Sequence, residues 1–105
     1  MKKLDKILNE LKDRLKELYK ESYGSLILYG SYARGESTYE SDIDFLLVIK
    51  GLINPIEEIN KTLPIVSDLS LKYDVVISIY PVTKEWLEKR ESPLLMNIRK
   101  EGRTV

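Results

Sequence analysis

The sequence predicts an α/β fold, a small mixed β-sheet with flanking helices, and three observations lead there. The first twenty or so residues carry apolar positions at helical spacing. Three later apolar runs are too short for helices and rich in strand formers. Helix-opening residues stand between and after those runs.

Leu4, Ile7, Leu8, Leu11, Leu15 and Leu18 predict an amphipathic helix from about residue 3 to residue 22, with Glu10 four residues before Arg14 on its charged face. Gly24 is expected to end it. Residues 25–29 (Ser-Leu-Ile-Leu-Tyr) read as a short buried strand closing at Gly30, and residues 31–41 as a polar, turn-rich segment. Residues 42–49 form the second strand. Asn54-Pro55 is an N-cap followed by proline at the first helical position, with Glu57 placed for a capping box. Pro64 predicts a kink, or two short helices, between about 55 and 72. Residues 74–80 form a third strand ended by Pro81, and Thr83 and Ser92-Pro93 open two short helices, the last stopped at Gly102. The expected order is α-β-β-α-β-α-α, in two or three layers within one domain spanning residues 1–105.

Composition narrows the chemistry. Seventeen basic and seventeen acidic residues cancel, so no bulk field favours a long nucleic-acid substrate or an anionic membrane. The chain has no histidine and no cysteine, which removes imidazole bases, thiolate nucleophiles, disulfides and zinc sites of the usual kind. Catalysis must use carboxylates, hydroxyls, amines, guanidinium groups or a hard, oxygen-liking metal such as Mg²⁺ or Mn²⁺. The start becomes charged again within a few residues, and no stretch approaches the roughly 20 apolar residues of a membrane span. The expectation is a cytoplasmic protein.

The informative segment runs from Gly30-Ser31-Tyr32-Ala33-Arg34-Gly35-Glu36 to Ser41-Asp42-Ile43-Asp44. Its Gly30, Gly35, Ser37 spacing imitates a phosphate-binding P-loop, but Glu36 occupies the lysine's place and would repel the phosphate. Asp42 and Asp44 say more. On a strand they share a face, about 7 Å apart at roughly 3.3 Å per residue, which suits joint ligation of one ion or of two ions about 4 Å apart. Like charges at the start of an apolar strand are costly without a cation. Asp74 opens the third strand in the same manner, and lateral pairing of the two strands would converge three carboxylates. Taken singly, each of these residues also has a plain turn or cap reading.

Gly-Ser, ten residues, then Asp-x-Asp resembles the signature of the DNA polymerase beta-like nucleotidyltransferase superfamily. The fuller run through Val48, and the ending Asn97-Ile98-Arg99-Lys100-Glu101-Gly102, is similar to its minimal branch. The resemblance implies a polymerase beta-like palm fold and transfer of AMP from ATP, or from another nucleoside triphosphate, with release of pyrophosphate. It implies that Asp42, Asp44 and Asp74 hold two Mg²⁺ ions, Asp74 serving the acceptor side. Gly30 and Ser31 would cradle the triphosphate and Arg34 would clamp it. In that branch the acceptor is typically a tyrosine of a HEPN-domain RNase toxin, so the chain is expected to be its adenylylating antitoxin. A non-catalytic antitoxin, and transfer to a small molecule, are the alternatives. Tyr29, Tyr32 and Tyr39 near the motif could stack on a base or simply pack.

Overall fold

The computed structural model describes residues 2–37 and 42–105. Its centre is a strand, β2 (Ile43–Ile49), in which every residue but Asp44 is buried. A side chain alternates faces along a strand, and β2 uses both. Ile43, Phe45, Leu47 and Ile49 point into one apolar cluster, Leu46 and Val48 into another. Such two-sided burial requires cover on both faces, and the helices supply it.

The first face lies under α1 (Lys3–Tyr19) and α3 (Pro55–Tyr73). Ile7, Leu11 and Leu15 of α1, with Ile65 and Leu69 of α3, complete the larger cluster. Arg14 to Asp68 at 3.0 Å and Lys72 to Glu10 at 2.6 Å link the two helices along their exposed edge. Glu10 therefore pairs across helices, where the sequence placed it opposite Arg14 of its own helix. The second face carries α5 (Pro93–Glu101), whose Leu95 and Ile98 pack on Ile27, Leu46, Val48 and Val82.

The sheet has four strands in the order β3-β2-β1-β4, with β1 at Tyr23–Tyr29, β3 at Ile77–Thr83 and β4 at Arg103–Thr104. β1 is antiparallel to both β2 and β4, whereas β3 runs parallel to β2. The sheet is mixed, as expected. A four-residue helix, α2 (Ser31–Arg34), follows β1, and α4 (Lys84–Lys89) follows β3.

Several boundaries differ from the expectations. Helix α1 stops at Tyr19, before a 3-10 turn over Lys20–Ser22, and Gly24 lies inside β1. A Cβ on Gly24 would stand 2.5 Å from the Val48 carbonyl oxygen, so this glycine permits close strand approach at a register shift. Helix α3 is continuous through Pro64. The burial of Thr62, Ile65 and Leu69 along one side outweighs the hydrogen bond that Pro64 cannot donate. Strand β3 begins at Ile77 and includes Pro81. Proline is tolerated there because β3 is an edge strand, paired on one side only. Three expected caps are present: Asn54 accepts from the Ile56 amide at 3.1 Å, Thr83 from Trp86 at 3.1 Å and Ser92 from Leu95 at 3.2 Å.

Candidate active site

The last residues of β1 and the first of β2 and β3 meet at one end of the sheet. There Tyr29 pairs with Asp44 across the antiparallel ladder, and Asp44 pairs with Ser78 across the parallel one. Asp42 lies exposed one residue ahead of β2, on the side of the sheet that Asp44 faces. Burial, and next the charge of Asp42, raise the Asp44 carboxyl above the usual aspartate range. Burial also raises the Tyr29 hydroxyl, with smaller contributions from Asp44 and Tyr80. Among the described residues the Asp44 carboxylate has no ion-pair or hydrogen-bond partner. A half-buried carboxylate beside a second carboxylate, with nothing cationic against it, is suited to a hard cation.

Gly30 is shaped by this acid. Its φ of 75° and ψ of −154° belong to backbone territory that is essentially glycine's alone. A Cβ there would come 2.7 Å from Asp44 Oδ2. The chain thus turns directly against the carboxylate and starts α2, with the Gly30 carbonyl accepting from Ala33 and Arg34. Ser31 opens α2, and its amide and the Tyr32 amide belong to a first helical turn without intrahelical acceptors. Those amides and the Ser31 hydroxyl stand beside the acids as donors for an anion.

Arg34 is occupied differently from expectation. Its guanidinium donates to Glu36 at 3.0 Å and lies 3.7 Å from Glu101, at the end of α5. Asp74 is not on a strand. It caps the C-terminus of α3 in the left-handed conformation, φ 52° and ψ 54°, which aspartate tolerates better than most residues. β3 does pair beside β2, yet Ser78 is the residue opposite Asp44. No group of three acidic side chains placed to hold a metal ion occurs among the described residues. The structure brings Gly30, Ser31, Asp42 and Asp44 together, with Arg34 at the margin and Asp74 further off.

Sequence reasoning passed over Ser78 and Tyr80, whose neighbours depend on register, and the wall that α5 gives the site. A cleft of about 200 Å³ runs from Tyr29 and Gly30 to Leu94, Asn97 and Glu101. The spacing of those three along a helix, seven residues from first to last, was the available signal. Tyr32 faces the opposite side and packs on the larger cluster, and Tyr39 lies outside the described residues.

The family model for the nucleotidyltransferase domain matches residues 8–104. The chain belongs to the nucleotidyltransferase family. A Methanocaldococcus jannaschii protein named "Putative protein adenylyltransferase" is 40% identical over 72 residues, 69% of this chain and 72% of its own. A second of the same name and organism is 34% identical over 102 residues, 96% of each chain. The fold is shared with a toxin–antitoxin crystallised with AMP-PNP, at a TM-score of 0.60 and 17% identity, over 89% of this chain and 70% of that one. A variant of the MntA-HpeT toxin–antitoxin matches at 0.57 and 18%, over 90% and 70%. The chain is a nucleotidyltransferase, and the resemblance read from Gly30-Ser31 and Asp42-x-Asp44 holds across nearly its whole length. Among the described residues no helix is long and apolar enough to cross a membrane.

Proposed function

We propose that this nucleotidyltransferase transfers AMP from ATP to a protein acceptor, with Asp42 and Asp44 as its metal-binding acids. The observation that carries the reading is the Asp42–Asp44 pair against Gly30: two carboxylates, one half-buried and without a cationic partner among the described residues, beside a backbone turn that leads into the first-turn amides of α2. That donor set is all oxygen and fits Mg²⁺ or Mn²⁺. When bound there, such ions neutralise the triphosphate and stabilise the charge on the attacking and leaving oxygens.

The chain's own residues do the positioning. Gly30 lets the triphosphate approach the backbone, because no Cβ intervenes. The Ser31 hydroxyl and amide donate to a phosphate oxygen. Arg34 adds a cation at the margin once phosphate competes with its carboxylate partners. The acceptor hydroxyl attacks the α-phosphorus in line, the bond to the bridging oxygen breaks and pyrophosphate departs. With the triphosphate on the β1–α2 side, the acceptor enters from the β3 side. Asp74, which caps α3 apart from the Asp42–Asp44 pair, is the acid that the family resemblance assigns to that side, where it would take the acceptor's proton.

The relatives named as protein adenylyltransferases support a protein acceptor. The toxin–antitoxin setting of the similar folds supports a toxin partner, and the motif's resemblance to the minimal branch supports a HEPN-domain RNase carrying an acceptor tyrosine. The test is incubation of the chain with α-labelled ATP, Mg²⁺ and a HEPN-domain toxin encoded beside it. Label on the toxin, with pyrophosphate released in equal amount, is expected. Neutralisation of the toxin without label would replace transfer by simple binding.

A further inference from the structure

We infer that the cleft between β1 and α5 holds the nucleoside of the bound triphosphate, with Asn97 reading the edge of an adenine. The inference rests on the proposal that ATP binds at Gly30, Asp42 and Asp44, and it adds where the base sits and which side chain reads it.

The place comes first. The cleft begins at Tyr29 and Gly30, beside the acids, and ends on α5. Its volume of about 200 Å³ is below the roughly 300 Å³ at which whole-ligand pockets begin. It therefore suits one part of a nucleotide, the rest lying outside over the acids.

Charge decides which part. Arg34, the cation lining the cleft, is already engaged by Glu36 at 3.0 Å and approached by Glu101 at 3.7 Å, so the cleft carries no surplus positive charge. Beyond Arg34 the cleft therefore suits a neutral ring better than a triphosphate tail. The apolar lining favours an aromatic ring instead: Leu94 is 40% exposed, Ile98 forms the floor, and Tyr29 is half-buried at the inner end.

The polar groups then select within that class. The Asn97 side chain is exposed, and among the described residues it has no hydrogen-bond partner. An amide offers one acceptor and two donors, the complement of adenine N6 and N7. Glu101 follows four residues later on the same helical face, where its free oxygen can accept from a ribose hydroxyl. The wall is held before any ligand arrives. Ser92 caps α5 at 3.2 Å, and Arg99 ties it to the Leu87 and Arg90 carbonyls at 2.5 and 3.0 Å.

Calorimetric titration of the intact chain with ATP, GTP and inorganic tripolyphosphate, each with Mg²⁺, tests this. The wild type is expected to bind ATP at least about tenfold more tightly than tripolyphosphate, and more tightly than GTP. Leu94→Trp, which fills the cleft from an exposed position, should remove the advantage over tripolyphosphate and leave tripolyphosphate binding unchanged. Asn97→Ala should cut the preference for ATP over GTP by about fivefold or more. Equal affinity for ATP and tripolyphosphate in the wild type, or variants that bind ATP as it does, would overturn the cleft assignment while the phosphate site stands. If neither compound binds, both readings fall together.

Discussion

Glu58 and Asp44 are both drawn out of water, and they are treated in opposite ways. Glu58, in α3, is 5% exposed and accepts a hydrogen bond from the Tyr19 hydroxyl at 2.9 Å, with Lys61 at 3.4 Å. Asp44, in β2, is half-buried beside a second acid, with no cation against it among the described residues. The first is a structural group whose partners offset its desolvation. The second holds an unfavourable arrangement that a bound cation would relieve, which is how a site differs from a tie.

The largest expected effect separates the two by function. Asp44→Asn should lower AMP transfer at least a hundredfold, about 2.7 kcal/mol in the barrier, while its melting temperature stays level or rises as the repulsion with Asp42 is removed. Glu58→Ala should do the reverse. It strands the Tyr19 hydroxyl and should destabilise the fold by about 1–3 kcal/mol, with normal transfer per folded molecule. Single-turnover transfer and thermal unfolding on the same preparations check both.

Gly30→Val comes next. The Cβ would collide with Asp44 Oδ2, and φ would have to leave its positive value. Weaker binding of Mg²⁺ and tripolyphosphate is expected, together with a loss of stability of roughly 1–3 kcal/mol. Tripolyphosphate affinity equal to wild type would separate Gly30 from the phosphate cradle.

Asp74→Asn sharpens the acceptor side. Asparagine keeps both the left-handed turn and the shape, so melting should barely move. ATP affinity should change by no more than a few fold, and transfer should fall at least about a hundredfold. Normal turnover would make Asp74 a helix cap only.

The smallest effect is a titration. Burial and Asp42 raise the Asp44 carboxyl, so the folded state holds this proton more tightly than the unfolded one. Its contribution therefore opposes folding as pH rises from the ordinary aspartate value through the raised one. Carboxyl NMR should show Asp44 titrating above its normal range, and Asp42→Asn should lower that value by the Coulombic share alone. An unchanged Asp44 titration in Asp42→Asn would mean that the two acids do not sense each other.

These contrasts also explain what the sequence disclosed. Local chemistry was legible: the caps at Asn54, Thr83 and Ser92, the strand character of residues 42–49, and the Gly30-Ser31 to Asp42-x-Asp44 run. What depended on long-range packing was not. Pro64 reads as a breaker until the buried side of α3 is known, and Pro81 until β3 is seen to be an edge. β4 has two residues and no apolar pattern, and exists because β1 has an open edge for it. Asp74 precedes an apolar run, so it reads as a strand opener. The chain instead spends residues 74–76 leaving α3, which moves the strand start to Ile77.

The central claim, that Asp42 and Asp44 form a cation site against Gly30, is tested most directly by paramagnetic broadening. With Mn²⁺ and tripolyphosphate added to the labelled chain, amide signals of Gly30, Ser31, Asp42 and Asp44 should broaden first. Asp44→Asn should abolish the effect while the remaining spectrum stays folded. Broadening centred elsewhere, or persisting unchanged in Asp44→Asn, would contradict the account.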